Sequence, residues 1–243
     1  MTISIVVPAF NEARGLPATL ASIRRATAAF DARGWRHELV VCDNNSTDGT
    51  AEIARAAGAT VVFEPVNQIS RARNAGAAQA SGDWLVFVDA DSHPSPELFG
   101  DTADAMAGGR CLAGGATVAL DSTDRLGGGV VAVWNAISRA LRLAAGSFIF
   151  CDAQVFREVG GFSLEFYAGE ELDLFTRLKR LARKRGRTIV ILSAHPLVTS
   201  DRKARLYTKR EIAFGFLKSV LTLGRAVRNR DDCYMWYDGR REQ

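Results

Sequence analysis

What most limits the fold of this chain is an alternation near its start. Between Ile3 and Val88 four short apolar runs, Ile3–Val7, Glu38–Cys42, Thr60–Phe63 and Trp84–Val88, are separated by stretches of helical character. Ile3–Val7 is apolar and β-branched at every position but Ser4, as expected of a strand covered on both faces. Leu16, Leu20 and Ile23 share one stripe of a helix that opens near Pro17 and runs to about Phe30. Further helices are expected over Thr50–Ala57 and Ser70–Ala80. Strand–helix alternation at this spacing requires right-handed crossovers and a mostly parallel sheet. The expected fold is therefore α/β, a single Rossmann-type domain with helices flanking a central sheet.

Ligands of such sheets bind beyond the carboxyl ends of the strands. Three polar segments follow strands here: Pro8–Glu12, Asp43–Gly49 and Asp89–His93. They should gather along one edge. The sharpest is Asp89-Ala90-Asp91, where two carboxylates two residues apart can both face a hard cation such as Mg2+ or Mn2+. An Asp-rich turn capping the next helix, with Ser92 or Ser95, explains the same residues. In Asp43–Gly49, carboxylates and amides suit a base and ribose, and equally suit an Asx-turn leading into a helix.

The second half is less regular. Strands are expected at Leu112–Leu120, Ser147–Cys151 and Arg187–Leu192, with helices at Val130–Leu143 and Glu170–Arg185. Gly127–Gly129 looks like a flexible joint, and the tail from about Tyr207 to Arg228 like a basic amphipathic helix. Such a helix packs on its own domain or on a second subunit, or lies on an anionic membrane.

Composition narrows the class. A chain of 243 residues, 47% hydrophobic and 24% charged, fits one core. The start of the chain has no basic n-region or apolar h-region, and no apolar run approaches the roughly 20 residues of a membrane span. A cytoplasmic location is expected, with peripheral contact at the inner face of the membrane as the further option through the tail. Cys42, Cys111, Cys151 and Cys233 lack metal-ligand or disulfide spacing. The net charge of +4 favours anionic partners such as nucleotide phosphates, and is too small to argue for nucleic acid.

The order V-V-P-A-F-N-E, V-V-C-D-N-N-S-T-D-G-T and R-A-R-N-A-G-A-A-Q-A-S-G-D-W-L-V-F-V-D-A-D resembles family 2 glycosyltransferases of the GT-A fold. Val159-Gly160-Gly161-Phe162 and Gly169-Glu170-Glu171-Leu172-Asp173-Leu174 extend the resemblance to about Leu178. It implies an inverting transferase that takes a nucleotide-diphosphate sugar, UDP being the commonest, and a divalent metal. Pro8, Asn11 and Glu12 would line the base and ribose pocket, and Asp43 would meet the nucleobase. Arg73 would approach the diphosphate, with Asn74 and Gly76 shaping a turn. Asp91 would be the main metal ligand, and Asp89 would touch ribose or metal.

The resemblance also implies a general base at a helix start, where the family has Glu-Asp and this chain has Glu170-Glu171. Glu171 matches the aspartate and is the candidate, with Glu170 as the alternative. Helix-dipole stabilisation accounts for the same acids without catalysis.

Cys151, Asp152 and Glu170 could line an acceptor pocket; the first two could equally form a buried thiol beside a capping aspartate. Arg202 and Lys203 could reach the diphosphate, whereas His195 is expected to be a turn histidine without a metal role. The acceptor, whether glycan, lipid or small molecule, is not encoded legibly. Residues 1–205 are expected to form the transferase domain, with a nucleotide half to about 93 and an acceptor half from 94, and 206–243 a helical appendage. A sugar-1-phosphate nucleotidyltransferase or dehydrogenase would need a Gly-rich loop where P-A-F-N-E stands. A non-catalytic nucleotide-sugar binder remains the main competing class.

Overall fold

The computed structural model describes residues 1–121, 125–200 (side chains at 125–128 excepted), 226–233 and 237. Eight strands form one sheet: β1 (Thr2–Ala9), β2 (Arg36–Asp43), β3 (Thr60–Phe63), β4 (Trp84–Val88), β5 (Ser92–His93), β6 (Cys111–Leu120), β7 (Phe148–Asp152) and β8 (Thr188–Thr199). Their order is β3-β2-β1-β4-β7-β6-β8-β5. The first four are mutually parallel, as is the pair β6–β8. β7 runs antiparallel to both β4 and β6, and β5 antiparallel to β8. The helices are α1 (Leu16–Ala26), α2 (Ala28–Asp31), α3 (Thr50–Ala56), α4 (Ile69–Gln79), α5 (Pro96–Ala107), α6 (Arg125–Leu141), α7 (Ala153–Glu158) and α8 (Glu170–Lys184).

The sheet has a core on each face, which explains why consecutive residues of β1 and β4, on both faces, are apolar. Ile3, Ile5 and Val7 of β1 join Val86 and Val88 of β4 in one cluster, with Leu20 and Ile23 of α1 and Phe99 of α5. Val6, Leu85 and Phe87 point the other way, into a cluster with Ala77 of α4 and Leu174, Phe175 and Leu178 of α8. Successive side chains of a strand take opposite faces, so only a strand sandwiched between helices can carry consecutive apolar residues.

Several expected boundaries moved. Gly127–Gly129, expected as a joint, lies inside α6, where the packed face of the helix outweighs roughly 1 kcal/mol of helix propensity lost per glycine. β8 continues past Leu192 to Thr199. Its register with β6 jumps from Ala116↔Leu192 to Val118↔Leu197, so Ser193–Pro196 arch outward and are exposed. His195 sits on that arch with Nδ1 2.9 Å from Asp101 Oδ2.

Candidate active site

The loops after β1, β2 and β4 converge. Pro8 pairs with Cys42 and Ala9 with Asp43, so β1 and β2 end side by side. The two loops are then zipped together. Asn11 N–H donates to Ser46 Oγ (3.0 Å), Thr47 N–H to Asn11 Oδ1 (2.8 Å), Glu12 N–H to Thr50 Oγ1 (2.8 Å) and Ala13 N–H to Asp48 Oδ2 (3.0 Å). Asn11 and Asn45 take left-handed backbone, with φ of 51° and 66°, a conformation Asn tolerates better than most residues. Although partly buried, Asp48 is held below the usual carboxylate range by hydrogen bonds from Thr50 and the Ala13 amide. The Asx-turn reading of this loop therefore holds.

These loops frame a cleft walled by Pro8, Phe10, Glu12 and Asn44 on one side and Asp89 and Asp91 on the other. Asn67 and Ile69, just before and at the start of α4, and Tyr237 complete it. Asp43 stands behind this wall, buried, its Oδ1 accepting from Ser46 N–H at 3.1 Å. Asn44 ties the wall to the approach of α4: its Oδ1 accepts from Gln68 N–H and its Nδ2 donates to Val66 O.

The R-x-R-N-x-G spacing of α4 has a physical cause. Asn74 and Gly76, expected to shape a turn, lie within the helix. Asn74 Oδ1 accepts from Phe162 N–H (2.9 Å) and its Nδ2 donates to Phe162 O (2.8 Å), docking the Gly-Gly-Phe segment. A Cβ on Gly76 would come within 2.5 Å of Val6 Cγ1, so α4 can seat on β1 only with glycine there. Arg73 is 1% exposed, and its guanidinium bonds Glu170, Asp89 Oδ1 (2.8 Å) and Gly146 O (2.8 Å). The Phe162 ring lies 5.1 Å from it. Arg73 thus faces an acidic cluster, and is absent from the cleft wall.

Glu170 opens α8 and is 3% exposed; Gly169 before it is left-handed (φ 73°). Glu171 is half-buried beside the same cluster. A Cβ on Gly146 would meet Glu171 Cδ at 3.5 Å and Arg73 Nη2 at 3.2 Å, so Gly146 is what lets these groups approach. Burial first, and then the Glu170 charge, push the Glu171 carboxyl well above the usual carboxylate range, with Arg73 opposing.

Two expected acceptor residues are corrected. Cys151 is fully buried within β7, among Leu85 and Ala113. Asp152 caps α7, accepting from Gln154 and Val155 N–H. Because β7 is antiparallel to β4, Asp152 lies opposite Trp84, about 13 Å along the strand from Val88 and the cleft. The start of β7 is the end that reaches the site, where Asp89 N–H donates to Ser147 O (3.2 Å).

Arg202, Lys203 and most of the expected tail helix lie outside the described residues. The chain arrives there beside the acid pair, since Ser200 N–H donates to Asp91 O (3.1 Å). Sequence reasoning missed Asn67, Gly146 and Tyr237, and did not single out Phe10 and Asn44 within the loops it flagged. Tyr237 Oη donates to Tyr167 O (2.9 Å), the two rings meet edge-on, and Tyr167 N–H donates to Val227 O (2.7 Å). Val227 and Tyr237, from the stretch expected to be an appendage, are thus packed onto the domain.

A helix-sandwiched sheet of this order, with an acid-lined cleft beyond β1, β2 and β4, is a fold of GT-A type. Residues 4–153 match the family model described as glycosyl transferase family 2, and the chain belongs to that family. An uncharacterized glycosyltransferase of Mycobacterium tuberculosis is 39% identical over 89 residues, 37% of this chain and 36% of that one. An undecaprenyl-phosphate 4-deoxy-4-formamido-L-arabinose transferase of Aeromonas hydrophila is 35% identical over 103 residues, 39% of this chain and 30% of that one. The match spans only about a third of each curated relative.

Among solved structures, a Pyrobaculum calidifontis mannosyltransferase in complex with GDP-Man and Mn2+ superposes with a TM-score of 0.66. It shares 18% identity, over 92% of this chain and 62% of that one. Glucosyl-3-phosphoglycerate synthase of M. tuberculosis, in complex with Mn2+, UDP and glucosyl-3-phosphoglycerate, gives 0.59 at 24% identity, over 87% and 75%. At these identities they show the fold.

Proposed function

We propose that this chain is an inverting glycosyltransferase that takes a nucleoside-diphosphate sugar, UDP-linked by preference, into the cleft beyond β1, β2 and β4. The convergence of Pro8, Phe10, Glu12 and Asn44 on one wall with Asp89 and Asp91 on the other carries this reading. Two structural neighbours are complexes with a nucleotide or nucleotide sugar and Mn2+, which supports the donor class.

Among the described residues no group of three or more His, Cys, Asp or Glu is gathered to hold a metal. Two carboxylates suit Mn2+ or Mg2+, which commonly keep one or two protein carboxylates and take further oxygens from phosphates and water. Asp91 would hold the ion with Asp89 beside it. Bound there, it would offset charge on the departing diphosphate.

Glu171 would accept the acceptor hydroxyl's proton as the oxygen attacks the anomeric carbon. The anomeric carbon–diphosphate bond breaks on the opposite face, inverting the centre. A raised carboxyl is the stronger base once ionised, so activity should climb with pH as Glu171 loses its proton. Arg73 would hold Glu170 and Asp89 rather than contact the diphosphate. Arg202 and Lys203, two and three residues past Ser200, are within about 11 Å of it along an extended chain and would meet the diphosphate. Asn11 and Asp43 would shape the base pocket from behind.

Calorimetry with UDP or GDP, with and without Mn2+, tests the site. Binding strengthened by Mn2+ is expected, and Asp91→Asn should abolish that increment. Alanine at Arg202 and Lys203 should weaken nucleotide binding. Glu171→Gln should leave binding intact while lowering transfer or donor hydrolysis by about 10²- to 10⁴-fold. Equal turnover in that variant would sink the catalytic assignment and favour a non-catalytic binder or Glu170 as base.

A further inference from the structure

α6 carries an apolar stripe that is not packed against the core among the described residues. Val131 and Trp134 pack toward the core, Asn135 bonds both backbone groups of Val118, and buried Ser138 donates to Leu143 O. That fixes which side faces inward. Val130, Val133, Ile137 and Leu141, spaced for another side of the helix, remain 73%, 62%, 42% and 57% exposed. Aliphatic groups in contiguous array at such exposure mark an interaction surface rather than scattered surface residues.

The stripe ends at a cation-lined pocket. Leu141 belongs to both. The pocket, of about 480 Å³, is walled by Arg142, Lys179, Arg183 and Arg187 together with Leu141 and Ile189, and no acid lines it. Among the described residues none of these four cations is ion-paired. Arg187 Nη2 donates to Cys111 O (2.7 Å), while its Nε is buried without a hydrogen-bond partner. Burial and then the Arg183 charge lower the Lys179 ammonium from its ordinary value, a crowding that a bound anion would relieve.

We infer that α6 and this pocket dock the protein on an anionic membrane surface, with the stripe at the acyl boundary and the pocket on a lipid phosphate headgroup. Apolar groups bordered by basic ones are what such a surface selects. The contact inferred is a peripheral one; no helix among the described residues is long and apolar enough to cross a membrane. A second copy of the chain fits less well, because it would bring the same four cations to the contact.

Co-sedimentation of the full chain with vesicles tests this. Binding is expected to phosphatidylcholine vesicles containing about a third phosphatidylglycerol, to fall with added salt, and to be weak on pure phosphatidylcholine. Val133→Asp and Arg183→Glu should each weaken partitioning roughly tenfold, without lowering the melting temperature, since both positions are exposed. Unchanged partitioning of both variants would overturn the inference and place any binding elsewhere. Release from vesicles by millimolar inorganic phosphate at constant ionic strength would overturn it in favour of a site for a free anion. Sedimentation-velocity evidence of a dimer that Val133→Asp dissociates, with vesicle binding unaltered, would overturn it in favour of a subunit interface. None of these outcomes depends on nucleotide binding, so the inference can fail while the donor site stands.

Discussion

The two polar regions around the cleft are built on opposite principles. At the ends of β1 and β2, the side chains of Asn11, Ser46, Asp48 and Thr50 are satisfied by neighbouring backbone amides, loop against loop. At the start of α8, Glu170 and Asp89 are brought together from distant parts of the chain by one buried guanidinium. Each bond in the first region contributes about 1 kcal/mol, and losing one leaves the others. In the second, the charges are mutually dependent, because a buried ion without its partner costs several kcal/mol. The nucleotide side should therefore degrade by degrees, and the α8 side abruptly.

Arg73→Met tests that contrast hardest. It removes the shared cation and should cost about 3–5 kcal/mol, roughly a 10 °C fall in melting temperature, measurable by calorimetry. A fall under 2 °C, on the order of a surface change, would erase the distinction.

Glu171→Gln sharpens it, through the dependence of stability on pH. The folded Glu171 carboxyl titrates above its unfolded value, so the folded state holds that proton more tightly than the unfolded chain. Its contribution is fully present below the unfolded value and is lost as pH rises through the folded one. Wild-type melting temperature should fall relative to Glu171→Gln as pH is raised across that window. Parallel curves would show that the carboxyl is well solvated. Asn11→Ala should give the smallest effect, about 1 kcal/mol or 2–4 °C, with a modest loss of nucleotide affinity.

The nucleotide half could be foreseen because its signals are local. β1 and β4 are apolar on both faces, and each is followed within a residue or two by the group that lines the cleft. The second half hid its geometry. Nothing in Phe148–Asp152 announces a reversed strand, and direction alone sends Cys151 and Asp152 to the wrong edge while bringing Gly146 to the right one. The exposed Ser193–Pro196 arch broke the pattern of β8 and made it look shorter. The pairing of Arg73 with Glu170 spans 97 residues, and no periodicity encodes it. Acids at the first turn of α8 were visible, but their common counterion was not.

Tyr237 has a consequence for biogenesis. One wall of the cleft is made by Pro8 and Phe10, and another by Tyr237, more than two hundred positions further along the chain. Domains are assembled during translation from the N-terminal side. The β1–β4 sheet can thus form on the nascent chain, but its binding cleft cannot close until the chain has been synthesised through Tyr237.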